Sequence, residues 1–393
     1  MPAADVQFRQ SLPFASEQLD ALMESAGIDV LLVTSKHNIQ YLLGGYRFFF
    51  FDYSDAIGIS RYLPILVYPR GRPEQASYIG NAMEDGEVAN GRFWMSRTDT
   101  TVWGATQAMR IAIAHVRELG ASARIGIEFP FMPADAADLL RAELPDSQIV
   151  EGHFPLERLR ARKTRHELGL IQEASDRVVG SMMATFAALR PGMTKHEAIK
   201  TLRHNEIERD LVFEYCLMTA GTGLNRAPSD QVLCEGDIVS LDSGGRYRGY
   251  IGDLCRMGIV GSPDAELVDL LAEVEAIQQA ARMPIRAGAI GHEIFAAADP
   301  VVAASPHRDI LHFVAHGMGI IGHEAPRLSG RGPVTYEGYD MERPLETGMV
   351  LSVETTMLHP RRGFIKLEDT LAVTEDGLVA YGDHGRGWNV VAG

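Results

Sequence analysis

Four acidic residues lie inside or at the ends of apolar segments that read as β-strands, and this feature most constrains the fold. Asp242 ends "DIVSLD" and Asp253 lies in "GYIGDLC", whereas Glu354 lies within "MVLSVETTML" and Glu368 within "FIKLEDTLAV". Burying a carboxylate costs several kcal/mol unless a cation or hydrogen bonds compensate it. A stable fold must therefore bring positive charge to these acids.

Two interpretations of the acids are open from the residues alone. Separate ion pairs with Arg246, Arg256 and Lys366 would compensate them. Alternatively, divalent cations would do so, together with an imidazole from the histidine-rich segment "HFVAHGMGIIGHEAP", residues 312–326. Carboxylate oxygens and imidazole nitrogen suit manganese, iron, cobalt or zinc. Two such ions can share bridging carboxylates and hold a water between them.

The order of segments indicates two domains. The chain has 393 residues, which is more than a single hydrophobic core usually serves. Over residues 1–155, apolar segments such as "IDVLLVTS" and "RIGIEF" alternate with amphipathic ones such as "SEQLDALMESAG", which predicts an α/β domain. Over residues 156–393, a long helix precedes a group of strands, which predicts an α+β domain with a curved antiparallel sheet.

Composition argues against several classes of protein. The formal net charge is −15 and no Lys/Arg-rich block is present, which argues against a nucleic-acid partner. The three cysteines form no CxxC pair, so we expect no disulfide framework. We find no apolar run of about 18 residues and no basic start followed by an apolar core. We therefore expect no membrane span, no signal peptide and a cytoplasmic location.

The motifs around the acids resemble those of the pita-bread metallohydrolases, which include aminopeptidase P, prolidase, creatinase and methionine aminopeptidase. The resemblance rests on "GDIVSLDSGGRYRGYIGDLCR", "HFVAHGMGIIGHEAP", "LETGMVLSVE" and "IKLED", which occur in the family's order. "IDVLLVTSKHNIQYLLGG" resembles the start of a creatinase-like N-terminal domain. The resemblance extends over essentially the whole chain and implies a pita-bread catalytic domain after a creatinase-like domain.

The resemblance also implies a role for each acid and for one histidine. Asp242 is expected to bind one metal ion, and Asp253 and Glu368 to bridge two ions. His316 and Glu354 are expected to complete the second ion, with Glu354 as the general base. The implied cofactor is a pair of divalent ions, with manganese as the first expectation and iron, cobalt or zinc as alternatives.

The other two histidines of the segment match family residues that act on the substrate. The resemblance implies that His312 and His323 contact the substrate and stabilise the developing tetrahedral centre. An imidazole can donate to an oxyanion or move a proton near neutral pH. The alternative is that both are ordinary histidines satisfied by hydrogen bonds.

Three positions depart from the family's proline peptidases. A histidine usual twelve residues before the first ligand strand is Asn225 here, and an amide cannot move a proton near neutral pH. The arginine usual two residues before the last glutamate is Lys366, so a bidentate fork becomes a single ammonium. The proline usual after the fourth ligand is Thr355. We expect Asn225 and Lys366 to contact the substrate and to shift its identity.

An aromatic segment in the first domain is a second candidate for substrate contact. "GGYRFFFFDYSD" contains Tyr46, Arg47 and four consecutive phenylalanines. These side chains could form a core strand or a dimer contact. Alternatively they could line a partner subunit's site, because creatinase-type enzymes are commonly dimers. Tyr46 would then offer an aromatic wall, and Arg47 a guanidinium for a carboxylate.

The sequence thus predicts a metal-dependent hydrolase of the Xaa-Pro peptidase type, which uses a metal-activated water to cleave a short peptide or amide bond. The alternative on the same metal centre is a non-peptidase C–N hydrolase or lyase, similar to creatinase or dimethylsulfoniopropionate lyase. A third possibility is a binding protein that kept the fold without catalysis. The expected partners are a small molecule or short peptide and a second copy of the chain.

Overall fold

The computed structural model describes residues 3–53, 55, 58–120, 124–331 and 336–391. The chain divides into two compact units, Met1–Arg160 and Ala161–Gly393. The division falls within a short helix, a few residues after the boundary expected at 155. Among the described residues, no helix is both long and apolar enough to cross a membrane. All three cysteines are free thiols.

The N-terminal unit is built on a six-stranded mixed sheet with the order β4-β3-β2-β1-β5-β6. Its strands are β1 Val30–Val33, β2 Ile65–Pro69, β3 Ser77–Asn81, β4 Arg97–Val102, β5 Arg124–Ile127 and β6 Gln148–Glu151. Its helices are α1 Ala3–Ser11, α2 Ser16–Ser25, α3 Lys36–Leu42, α4 Asp85–Ala89, α5 Ala105–Glu118, α6 Ala134–Glu143 and α7 His153–Ala161.

Strand β1 shows why this sheet has helices on both faces. All four of its residues are buried, and alternate side chains point to opposite faces of a sheet. Leu31 and Val33 pack with residues of α2, α3 and α7. Val30 and Leu32 pack with residues of α5 and α6. The unit is therefore a three-layer α/β structure, which confirms the predicted class.

The C-terminal unit is built on an eight-stranded sheet. Its main path has the order β10-β11-β12-β9-β8-β7, with β13 beside β12 and β14 beside β9. All described pairings are antiparallel except β14 with β9. Its strands are β7 Val212–Ala220, β8 Ile238–Tyr247, β9 Tyr250–Val260, β10 Leu311–Gly317, β11 Val350–His359, β12 Gly363–Val373, β13 Leu378–Tyr381 and β14 Asn389–Val391. Its helices are α8 Arg165–Ala188, α9 Lys195–Ile207, α10 Ala265–Arg282 and α11 Glu293–Ala304.

Helix α8 lies directly on strand β9. A Cβ atom on Gly252 would come within 2.7 Å of the carbonyl carbon of Ala174 and the amide nitrogen of Ser175. Only glycine allows a helix backbone to approach a strand this closely. Capping boxes at Thr164 and Thr194 begin α8 and α9. The α+β class with an antiparallel sheet is confirmed.

Candidate metal centre

The register of four strands places the predicted acidic ligands on one face of the C-terminal sheet. Cys255 on β9 is opposite Asp242 on β8 and Glu368 on β12. Glu368 is in turn opposite Glu354 on β11. Directly opposite residues share a face, as do residues two apart along a strand. Asp253, two residues before Cys255, therefore points to the same side.

His316 reaches this face from β10. It lies opposite Ser352, which is two residues before Glu354 on β11. Its Nδ1 is 3.2 Å from the carbonyl oxygen of Gly317, and because a carbonyl only accepts, Nδ1 carries the proton. Nε2 is buried and has no hydrogen-bond partner among the described residues. This is the tautomer that a metal-ligating imidazole needs.

The site residues fit a divalent cation. Asp253, His316 and Glu368 are buried, and each offers a ligand atom within 4.8 Å of the other two. Nε2 of His316 is also 3.6 Å from Oε1 of Glu354. Orphaned buried polar atoms are rare in proteins, and a cation would satisfy this nitrogen. Asp242, Asp253, His316, Glu354 and Glu368 would hold the ions, with the oxygen and nitrogen donors that manganese, iron, cobalt and zinc accept.

Two of the acids are held with raised pKa values. Burial and the nearby Asp242 carboxylate raise the pKa of Asp253 to about 6. Burial and Asp253 raise the pKa of Glu368 well above its usual range. Tyr215 donates a hydrogen bond to Asp253, and Ser352 donates one to Glu368 at 2.8 Å. These donors orient the carboxylates, as supporting groups do around protein metal sites.

Lys366 is the chain's own cation at this cluster. Its Nζ lies 2.7 Å from Asp242 Oδ2, 2.6 Å from Glu354 Oε2 and 2.8 Å from Glu368 Oε2. Burial opposes its charge, but these carboxylates raise the pKa of Lys366 well above its usual range. For Glu354, burial also opposes charge, yet Lys366 and His316 hold its pKa well below the usual range.

The other two basic residues considered for ion pairing, Arg246 and Arg256, form ion pairs with different acids. Arg246 binds Glu214 at 2.6 Å. Arg256 lies 3.2 Å from Asp369 and donates to backbone carbonyls, including that of Glu368. Of the three basic residues proposed from the sequence, Lys366 alone forms side-chain ion pairs with these acids in the described structure, and it contacts three of the four.

His323 and His312 both face the same cavity as the ligands. The ring of His323 stacks on that of His316, with centroids 3.7 Å apart and an interplanar angle of 17°. Desolvation by this packing, with the neighbouring His316, lowers the pKa of His323 to about 4. His312 lies on β10 four residues before His316, so both side chains point to one face of the sheet. Both rings can meet a bound molecule.

The cavity over this face has a volume of about 1140 Å³. That is large enough for a small molecule or short peptide. The four predicted metal-ligand carboxylates lie in its wall beside apolar side chains, which include Leu217, Leu224, Val314, Leu358 and Phe364. The site therefore combines a polar cluster with an apolar lining.

The four predicted substrate contacts lie in different places. Lys366 lines the cavity. Asn225 is exposed, and its Oδ1 accepts from the amide of Ala227 at 3.0 Å. Tyr46 and Arg47 belong to the N-terminal unit, where Tyr46 donates to Glu84 at 3.0 Å and Arg47 binds Asp52. Substrate contact by these four residues stays a prediction.

Of the interpretations left open for the aromatic segment, the core strand is wrong in its secondary structure. Phe49–Phe51 form a 3-10 turn. Phe48 and Phe51 are buried, whereas Phe49 is 56% and Tyr53 62% exposed. A turn lets consecutive phenylalanines point in several directions, which a flat strand does not. Ser54, within the quoted segment, lies outside the described residues.

Sequence reasoning missed two residues of the site. Arg226 forms an ion pair with Asp242 and lies over the ring of Phe364. It directly follows Asn225, the position that the motif spacing singled out. Tyr215 lies on β7 opposite Gly244, two residues after Asp242 on β8, so its hydroxyl reaches Asp253. The segment "VFEYCLMTA" contains β-branched and aromatic residues that could have indicated this strand.

Thr355 has a structural contact instead. Its side chain points away from the cavity and donates to Gln278 of α10 at 2.8 Å. The threonine that replaces the family's usual proline at position 355 therefore contributes to the packing of α10 on β11, not to the cavity.

Relatives with assigned names match most of this chain. It is 26% identical over 367 residues to an uncharacterised peptidase, YqhT, of Bacillus subtilis, and the match covers 92% of this chain and 95% of that protein. It is 27% identical over 226 residues to an Xaa-Pro dipeptidase of Pyrococcus furiosus, where the match covers 56% of this chain and 62% of that protein.

A solved structure and two family models complete the comparison. The Xaa-Pro dipeptidase from Bacillus anthracis has a TM-score of 0.79 at 21% identity, covering 95% of this chain and 98% of that one. At this identity the likeness shows the fold alone. Residues 16–162 match the creatinase/prolidase N-terminal domain, and residues 169–375, more than half of the chain, match metallopeptidase family M24. The chain therefore belongs to metallopeptidase family M24, with a creatinase/prolidase N-terminal domain.

Proposed function

We propose that this chain is a divalent-metal-dependent hydrolase of the Xaa-Pro peptidase type that cleaves a short peptide or amide bond. The observation that carries the proposal is the convergence of Asp253, His316 and Glu368 beside a large cavity, with Nε2 of His316 free to bind a metal. The names of the relatives from Pyrococcus furiosus and Bacillus anthracis support the same substrate class.

The proposed cofactor is a pair of divalent ions, with manganese first. Asp242, Asp253, His316, Glu354 and Glu368 would hold them. When bound, such ions lower the pKa of a coordinated water and polarise the scissile carbonyl. The number and identity of the ions belong to the proposal.

Glu354 is the proposed general base. Its pKa is held well below the usual range because Lys366 and His316 outweigh the effect of burial. It therefore stays ionised at neutral pH and can accept the proton of an attacking water. Its side chain lies in the wall of the cavity, where a substrate carbonyl would be bound.

His312 and His323 are the proposed substrate histidines. Because the pKa of His323 is lowered to about 4, the ring is neutral near pH 7. A neutral imidazole can donate a hydrogen bond to a developing oxyanion. The apolar side chains of the cavity, including Leu217 and Phe364, offer a surface for a proline ring.

Peptide hydrolysis by manganese-loaded protein tests the proposal. We expect turnover of Xaa-Pro dipeptides or tripeptides, and a loss of at least about 100-fold in kcat for Glu354→Gln, since a positioned base contributes 10²–10⁴-fold. Glu208→Gln, at an exposed position directly after helix α9, is the control and should retain full activity. Metal-loaded protein that cleaves no Xaa-Pro peptide with manganese, iron, cobalt or zinc would contradict the proposal.

Two observations favour a second candidate, a non-peptidase C–N hydrolase or lyase on the same centre. Lys366 offers a single ammonium where the peptidases tend to have the bidentate guanidinium of an arginine. Asn225 is exposed, and its side-chain oxygen accepts a hydrogen bond from the backbone amide of Ala227. A screen of small amides and betaines distinguishes the two candidates. Turnover of these compounds, together with no cleavage of Xaa-Pro peptides, would support the second.

We also propose a cytoplasmic homodimer without a nucleic-acid or membrane partner. The three free thiols are consistent with a reducing compartment, and the net charge of −15 argues against a nucleic-acid partner. The dimer rests on the resemblance to creatinase-type enzymes. Sedimentation of the purified chain gives the mass of the assembly directly. A monomer at all accessible concentrations would contradict the dimer.

A further inference from the structure

The Lys366 ammonium lies against three of the predicted metal-ligand carboxylates. The distances from Nζ to Asp242, Glu354 and Glu368 are 2.7, 2.6 and 2.8 Å. An ammonium has three donors and no acceptor; it donates a hydrogen bond to Asp242 and forms ion pairs with Glu354 and Glu368. The side chain is only 6% exposed. Lys366 therefore stands where a bound cation would contact the same three carboxylates.

The two sides of the cluster differ in what they still offer to a metal ion. On one side, Oδ2 of Asp242 already contacts both Lys366 and Arg226. On the other side, Nε2 of His316 has no hydrogen-bond partner among the described residues. His316, Asp253 and Glu368 each offer a ligand atom within 4.8 Å of the other two. Among the described ligand residues, an incoming ion therefore meets a buried ligand atom without a hydrogen-bond partner on the His316 side, at Nε2.

The charge balance of the cluster also favours a single divalent ion. When ionised, the four carboxylates at 242, 253, 354 and 368 face two cationic side chains, Lys366 and Arg226. One divalent ion supplies the two missing charges. A second ion beside Lys366 and Arg226 would leave excess positive charge in a buried site, which is costly.

We propose that Lys366 takes the place of one of the two cations. The chain then binds a single divalent ion tightly between Asp253, His316 and Glu368. An ion on the Asp242 side binds only when Lys366 withdraws, so its affinity is much lower. This inference rests on the proposed metal-dependent function, and it names Lys366 as the residue that determines how many ions the resting protein holds.

Manganese stoichiometry of the full chain tests the inference. The metal-free protein is titrated with Mn²⁺ by calorimetry, and bound metal is counted by mass spectrometry after dialysis. The native chain should bind about one equivalent tightly, with any second ion at least about tenfold weaker, the lower end of the effect of removing a supporting group. Lys366→Met should bind about two equivalents of similar affinity.

Two further variants make the result specific. Lys200→Met removes a positive charge from the exposed surface of α9 and should leave the stoichiometry at that of the native chain. Lys366→Gln keeps hydrogen-bond donors without the charge, and it replaces Lys366→Met should that protein fail to fold. Lys366→Gln should also gain the second ion.

Three outcomes would overturn the inference: two tight and equal ions in the native chain, an unchanged stoichiometry in both Lys366 variants, or no metal bound by any variant. Peptide hydrolysis, measured on the same samples, separates this inference from the proposed function. The predicted change in stoichiometry without any cleavage of Xaa-Pro peptides would support the role of Lys366 and contradict the proposed substrate class.

Discussion

At the scale of single residues, the clustering of the acids could be predicted because their chemistry conflicts with their surroundings. A carboxylate within an apolar strand needs compensation, so Glu354 and Glu368 stand out in the sequence. The contacts of Lys366 could not be foreseen, since a four-carbon side chain reaches different partners in different rotamers. Arg226 was missed for the same reason. The motif spacing identifies the neighbouring position 225, but it does not indicate which partner a long side chain beside that position contacts.

Glu206 of α9 offers a prediction on pH that does not involve a metal ligand. Burial raises the pKa of Glu206 to about 8, and its carboxyl contacts Ser243 at 2.9 Å. Above pH about 4.5 the unfolded chain releases a proton that the folded chain retains. The contribution of Glu206 to the free energy of unfolding is fully present below that pH, and it is lost as the pH rises through about 8.

The prediction is that Glu206→Gln removes this part of the pH dependence. The native chain's free energy of unfolding should fall by up to about 4 kcal/mol more than the variant's between pH 4.5 and pH 8, at about 1.36 kcal/mol per pKa unit. Denaturant unfolding at several pH values measures the difference. The exposed Glu208→Gln is the control and should follow the native profile. Parallel profiles for the native chain and Glu206→Gln would show that the buried carboxyl does not titrate as expected.

At the scale of secondary structure, strands β8, β9, β11 and β12 could be predicted from apolar segments, whereas β10 could not. Its segment "LHFVAHG" carries histidines and is followed by a glycine-rich turn, so the sequence indicated a binding segment without its conformation. The strand explains the spacing of His312 and His316, because residues four apart on a strand share a face. The pairing with β11 is a long-range contact that no local pattern specifies.

The contact between α8 and β9 gives a prediction at this scale. An added Cβ on Gly252 would meet the backbone of Ala174 and Ser175 at 2.7 Å, and backbone atoms cannot move aside as a flexible side chain can. Gly252→Ala should therefore destabilise the protein by about 1–3 kcal/mol, as overpacking does. It should also weaken metal binding, since Asp253 is the next residue.

Gly169 on the same helix provides the matched control. No atom lies within 4 Å of a Cβ added there, and alanine favours a helix over glycine by about 0.8–1.0 kcal/mol. Gly169→Ala should raise stability slightly and leave metal binding unchanged. Equal unfolding midpoints for Gly252→Ala and the native chain would mean that α8 does not lie on β9 as described.

At the scale of the whole molecule, the two-domain order could be predicted because period-2 and helical patterns change along the chain. Each unit has its own buried clusters, as the sizes of the two segments require. Tyr46 and Arg47 show the limit of this reasoning. Their motif was recognised, yet the buried hydrogen bond from Tyr46 to Glu84 depends on a tertiary contact between distant positions.

Metal removal should lower the stability of the whole protein. An ion that binds only the folded chain adds about 2.7 kcal/mol at a concentration one hundred times its Kd. Dialysis against a chelator should therefore lower the Tm by several degrees, and Mn²⁺ should restore it. His316→Ala should be insensitive to both treatments. A native chain whose Tm ignores the chelator would speak against a tightly bound ion.

The most direct test of the central claim compares bound manganese in the native chain, His316→Ala and His312→Ala at equilibrium. Both histidines lie on β10 with their side chains on one face of the sheet, but of the two only His316 belongs to the cluster of ligand atoms with Asp253 and Glu368. The account predicts that His316→Ala loses tight manganese binding and that His312→Ala keeps it. Full manganese binding by His316→Ala would contradict the metal centre described here.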